Sequence, residues 1–221
     1  MSIGAFTPDG SAGRYFGLYP AIVSDLVDPN DLGRIELRFP WLGEDGDEVR
    51  AWATLLTPHA DDDQGLMVLP EIETQVVVGF EAGDLRRPYI VGACWNGVEA
   101  TPERPAAANN LRLWQSRAKS RLEFDDTTGA AKVSITMQSG HQVVLDDGAR
   151  EITVTHANGC EIKLDVAGAI TIRANSRVTV EVPMVEVNAA MSTFSGVVKC
   201  DTLITNSVVS PSYTPGAGNI W

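Results

Sequence analysis

Cysteine is scarce and shows no pairing pattern in this chain: Cys94, Cys160 and Cys200 are odd in number, far apart and without a CxxC pair. Neither a disulfide framework nor a zinc ribbon is indicated, and the three thiols are expected to be buried as small apolar side chains. Long apolar runs are missing too, as is a basic start followed by an apolar stretch in MSIGAFTPDG. The expectation is a protein made and kept in the cytoplasm, or exported without a cleaved leader. Histidine occurs only at 59, 141 and 156, none beside a Ser or Cys nucleophile with an acidic partner, and no GxSxG signature occurs. Nucleophilic catalysis is therefore not expected. Helix signals are also few. The one stretch of helix-forming composition, ATPERPAAANNLRLWQSRAK, is broken by prolines and by Asn109-Asn110, and it is expected to be a linker.

What is present is acidity and alternation. The 221 residues carry a formal charge of −12, with 16 acidic and 6 basic side chains in residues 1–97 and 13 and 11 in the remainder. An acidic surface repels phosphate backbones, so no nucleic-acid partner is expected. Apolar residues recur at spacing two between Gly, Pro and Asx clusters, which predicts an all-β chain. From Tyr19 to Gly97 the sequence parses into AIVSDLV, the turn DPNDLG, RIELRFPWL, AWATLLTP, the acidic loop HADDDQG, ETQVVVGFE and PYIVGACW. Five strands of this length suit a small closed barrel of the OB type, and the continuous run Val76-Val77-Val78 suggests a strand covered on both faces.

Beyond residue 120 the chain repeats. RLEFDD, QVVLDD and EIKLDV superpose, with Asp125, Asp146 and Asp165 spaced 21 and 19 residues apart, and alternating segments lie between them. The unit is strand, acidic turn, strand, turn, and it cannot bury its apolar face alone. Asp125-Asp126 and Asp61-Asp62-Asp63 lack EF-hand spacing and are expected to be solvated turns. From Val187 to Trp221 the only charges are Lys199 and Asp201. So long an uncharged stretch points to an obligate homotrimer whose strands are buried against symmetry mates.

The motifs resemble those of phage baseplate assembly protein V and the related VgrG spikes. The resemblance rests on Gly33-Arg34 leading into Phe39-Pro40-Trp41, on Leu69-Pro70-Glu71, on Gly79-Phe80-Glu81-Ala82-Gly83-Asp84, and on Arg87-Pro88-Tyr89 with Gly92. It covers residues 19–175 by motif and the tail by character. Where the family has a Ser-Gly-His entry to its shaft, this chain has Ser116-Arg117-Ala118-Lys119-Ser120, so a different local turn is expected there.

The resemblance implies an N-terminal arm (1–18), an OB-fold domain (19–97), a linker (98–120), a trimeric intertwined β-helix or β-prism shaft (121–210) and a C-terminal tip (211–221). It implies a structural central spike of a phage tail, tailocin or injection apparatus, not an enzyme. Such a spike caps the tube below a separate trimeric hub, contacts other baseplate and tube proteins, and touches the target envelope only transiently. Some relatives insert a lysozyme-like domain or end in an HxH iron site; the short interval from Gly97 to Arg121 and a histidine-free C-terminus speak against both, and no metal or cofactor is expected. Tyr213, Pro215, Gly218, Asn219, Ile220 and Trp221 are the expected seat for a PAAR-type tip protein. The alternative is a β-helical polysaccharide-binding or depolymerising tail protein, which would need paired carboxylates in a groove.

Overall fold

The computed structural model describes residues 14–43 and 49–211, and in them the chain is all-β apart from a 3-10 turn at Glu81–Gly83. Five strands close a barrel: β1 (Tyr19–Asp25), β2 (Ile35–Arg38), β3 (Arg50–Leu55), then β6 (Gln75–Phe80) and β7 (Pro88–Ala93), with a two-residue hairpin of β4 (Ala60–Asp61) and β5 (Gln64–Gly65) outside it. The order around the barrel is β1-β2-β3-β7-β6, closing through the antiparallel β1–β6 pair. Only β3–β7 is parallel, the five-stranded closure expected of an OB barrel. Alternation sets its core. Ala21, Val23, Ile35, Leu37, Phe39, Ala53, Val76, Val78 and Ile90 all point inward and are buried. Val77 is only half-buried between buried Val76 and Val78, so β6 is covered on one face and not, as its apolar run suggested, on both.

The β1–β2 turn shows how local chemistry fixes the register. Asp28, whose side chain is 2% exposed, accepts backbone N–H bonds from Asn30, Leu32 and Arg34, and its two oxygens receive Arg34 Nε at 2.7 Å and Nη2 at 2.9 Å. That side-on bidentate pair holds the Asp28 carboxyl far below the usual carboxylate range, with the guanidinium as the main cause. Gly33 has φ +67° in the same turn, a conformation that glycine adopts without strain.

A second sheet of seven antiparallel strands follows as a simple meander: β8 (Leu111–Gln115), β9 (Arg121–Asp125), β10 (Lys132–Thr136), β11 (Gln142–Asp146), β12 (Glu151–Thr155), β13 (Glu161–Leu164) and β14 (Ile170–Arg173). β8 lies inside the stretch that sequence reading treats as linker. Its LRLWQ alternation pairs in full with β9, from Leu111 opposite Asp125 to Gln115 opposite Arg121. The Ser116–Ser120 turn joins these two strands, with Lys119 at φ +61° in the left-handed region that a glycine would occupy more easily. The repeated aspartates cap turns. Asp125 Oδ1 accepts from Thr127 N and Oγ1, Asp146 Oδ1 from Ala149 N, and Asp165 Oδ1 from Ala167 N and Ala169 N. Residues 174–211 contain no strand paired within the chain.

Candidate functional site, an uncovered apolar sheet face

The register of the meander sorts its side chains into rows. Trp114, Leu122, Ile135, Val143, Val154, Ile162 and Ile172 stand opposite one another in a single ladder across all seven strands. Two residues along, Phe124, Val133, Leu145, Ile152, Leu164 and Ile170 form a parallel ladder, which Arg112 begins. Residues two apart on a strand share a face, so both ladders lie on one side of the sheet. The other side is mainly polar. It carries Gln, Thr, Ser, Glu and Lys around Leu111, Leu113 and Val144, with Lys163 Nζ 2.8 Å from Glu151 and Glu161 opposite Arg173. Glu151 raises the Lys163 pKa through its hydrogen bond.

Among the described residues the apolar side is left open: Trp114 is 57% exposed, Ile135 51% and Ile162 44%, while Leu122, Val133 and Val143 are half-buried. The tail continues in the same vein, with Val178, Val180, Val182, Phe194 and Leu203 exposed. Exposed apolar side chains that run as one contiguous face across seven strands are the kind of surface that marks an interaction site.

The head motif turns out to be structural. Phe39, Trp41 and Phe80 join Tyr15 and Tyr19 in one aromatic cluster at the barrel mouth, with Tyr19 stacked on Trp41 at 4.8 Å and Phe39 5.7 Å from Phe80. Pro40 sits exposed between Phe39 and Trp41. The Gly79-to-Pro88 segment closes the β6–β7 connection. Glu81 N–H donates to Arg87 O, Arg87 N–H to Asp84 O, and Arg87 Nη1 reaches Glu81 Oε1 at 3.2 Å. Asp84 is held down to about pKa 2, first by the side-chain hydrogen bond from Arg86 and then by its backbone N–H. Gly83 (φ +77°) is buried, and a Cβ there would lie 3.0 Å from Tyr15 N. Pro88 is buried, and Pro70 and Gly92 are half-buried. These residues hold a loop and a barrel mouth together. The expected tip residues Tyr213, Pro215, Gly218, Asn219, Ile220 and Trp221 lie outside the described residues.

The burial expected of the cysteines is corrected, and one contact went unread in the sequence. Cys94 and Cys200 are exposed and Cys160 is half-buried, because each lies at or beyond a strand end and none in the barrel core. His141 and His156, distant in sequence, meet with ring centroids 4.3 Å apart at the open end of the β11–β12 pair. The signal was available: extending the repeat register by one residue past Gln142–Thr155 sets them opposite each other. Among the described residues no three His, Cys, Asp or Glu side chains cluster as metal ligands, and no helix is long and apolar enough to cross a membrane.

Residues 19–95, the barrel, match the family model of the Type VI secretion system/phage-baseplate injector OB domain. Among curated proteins, the type VI secretion system spike protein VgrG3 of Vibrio cholerae is 21% identical over 130 residues, 56% of this chain and 13% of the relative. VgrG2a of Pseudomonas aeruginosa is 24% identical over 154 residues, 64% of this chain and 18% of that protein. VgrG1a of the same organism is 25% identical over 134 residues, 56% of this chain and 21% of that protein. The chain therefore aligns with about a fifth or less of the length of these relatives.

Proposed function

We propose that this chain, a VgrG-like baseplate/spike protein whose residues 19–95 carry the injector OB domain, works as the homotrimeric central spike of a contractile tail or injection apparatus. The single observation that carries the reading is the double apolar ladder left bare on one side of a seven-stranded sheet. Three such sheets, brought together with their apolar sides inward, make a closed prism with polar outer faces, in which each chain supplies one wall. The segment beyond Arg173, whose only charges from Val187 onward are Lys199 and Asp201, then finds its hydrogen-bonding partners in the other two chains.

Mechanical duty follows from this architecture. When the sheath contracts, the spike concentrates the driving force on a small area of the target envelope and must not unfold under load. A prism of interlocked chains has no free edge to peel, because every strand is paired or covered. The OB heads cap the tube beneath a separate hub. The 16 acidic side chains of residues 1–97 suit a basic hub surface, so salt should weaken head-to-hub association. Residues 213–221, with Tyr213, Ile220 and Trp221 among them, would offer an apolar seat to a PAAR-type tip protein.

Electron microscopy of assembled particles tests the role. Particles made without this chain should lack density at the front of the tube and should fail to breach target cells. Full activity with an unaltered tube front would refute it.

A further inference from the structure

The two turn-bearing edges of the seven-stranded sheet differ in charge. On one edge lie the turns after β9, β11 and β13. Together with residues 109–112 and the strand ends that flank them (125–132, 146–151, 165–169), they hold six acidic and three basic side chains. On the other edge lie the turns after β8, β10 and β12 and the exit from β14. Residues 115–121 and 173–177 hold five basic side chains, of which Arg117, Arg121 and Arg173 also pair with carboxylates of the same chain, while 136–142 and 155–161 hold Glu161 and the touching pair His141 and His156.

Closure about a threefold axis makes this difference consequential. In a prism whose walls are three copies of one sheet, contacts are heterologous: an edge never meets its own copy, so each corner sets the acidic edge of one chain against the basic edge of the next. The apolar ladders are only two residues wide and run the length of the stack, so the axis lies along the stack and the turns fall at the corners. Symmetry also fixes height, because equivalent strands of the three chains are level. The β11–β12 turn stands midway between the heights of the β10–β11 and β12–β13 turns, which carry His141 and His156.

We propose that the corners of the shaft are charge-matched seams between copies of this chain, with Asp147 of one copy set between His141 and His156 of its neighbour. By the same levels, Asp126 faces the turn that carries Lys119, one hairpin nearer the head, and Asp165 faces the segment with Arg177, one hairpin further down. The inference rests on the trimer reading above and adds which edge meets which, and at what register. It gives the contacting histidines, which no catalytic or metal role absorbs, a position opposite an acidic turn. It also favours neighbours that run in the same direction along the axis over antiparallel ones, in which like edges would meet.

The test is cross-linking in the full chain. Cys94, Cys160 and Cys200 are replaced by Ser, and Asp147→Cys is combined with His156→Cys. A short bis-maleimide is added before denaturation, and light scattering on the same samples reports native mass. Within one chain these two positions lie on opposite edges, separated by the five residues of β12, about 17 Å, so a short linker cannot join them intramolecularly. The expected result is a covalent trimer band in the double variant and none in either single variant. Asp126→Cys with Lys119→Cys should give the same band and serves if the first pair misfolds. A native trimer that yields no covalent trimer from either pair overturns the seam and leaves the spike reading standing. Covalent dimers from Asp147→Cys alone would mean that like edges meet, which also overturns it. A monomeric native mass would overturn both.

Discussion

The indole of Trp41 stacks on the ring of Tyr19 with centroids 4.8 Å apart and planes inclined by 23°, while its Nε1–H donates to Pro20 O at 2.7 Å. One side chain thus ties the residues just after β2 to the start of β1 at the mouth of the barrel. Trp41→Phe keeps much of the ring contact and loses the hydrogen bond, so the head should be destabilised by about 1–2 kcal/mol. Denaturant unfolding followed by near-UV circular dichroism measures this, and the native mass should be unchanged, because Trp41 lies in the head.

Acid should loosen the same head. The Arg34 side chain and the backbone N–H groups of Asn30 and Arg34 lower the folded-state pKa of Asp28, and Arg86 lowers that of Asp84 to about 2. A depressed carboxylate pKa contributes stability that is fully present above the unfolded value near 4 and is lost as pH falls toward the folded value. The thermal midpoint of the head should therefore decline between about pH 5 and pH 2. Asp28→Asn should lower the midpoint at neutral pH and flatten that decline, as read by calorimetry across the range. An unchanged slope would show that the Asp28–Arg34 pair is not its source.

At the shaft, Val154 sits mid-ladder between Val143 and Ile162 on the bare apolar side. Val154→Asp places a carboxylate where three sheets converge, at a cost of several kcal/mol per copy for a charge buried without a partner. The trimer should dissociate or fail to form. The polar-face substitution Thr153→Asp, one residue away and pointing outward, should leave the mass intact. Sedimentation of the two variants side by side measures the difference.

At the turn between β8 and β9, Lys119 holds φ +61°. Lys119→Gly relieves that left-handed backbone at some cost in unfolded-chain entropy, for a net gain of about 0.5–1 kcal/mol. The midpoint of thermal unfolding should rise. A fall would mean that the Lys119 side chain contributes more than its backbone costs.

Much of this was legible in the sequence, for reasons that particular residues make plain. Ile35, Leu37 and Phe39 alternate with Glu36 and Arg38, and the barrel buries the first three as that spacing requires. The DPNDLG turn announces itself through Asp28 and Gly33. Strand β8 was hidden because Asn109-Asn110 and the prolines before it read as linker, whereas its pairing depends on Arg121–Asp125, which follow it in the chain. Asn109 in fact takes φ +49°, forming the bend that launches the strand. The repeats disclosed strand, turn, strand. They could not tell pairing within a chain from pairing between chains, since both need the same alternation of apolar and polar residues. Residues 111–173 pair within the chain as a meander. The functional face itself emerged only from register, which aligns Trp114 with Ile172 across seven strands although 58 positions separate them.

Mass in solution tests the trimeric assembly most directly. Sedimentation equilibrium of the purified full chain over a wide concentration range should return three times 23.7 kDa throughout, with the same species surviving SDS without heating. A mass of 23.7 kDa at micromolar concentration, with the apolar ladders left in water, would contradict it.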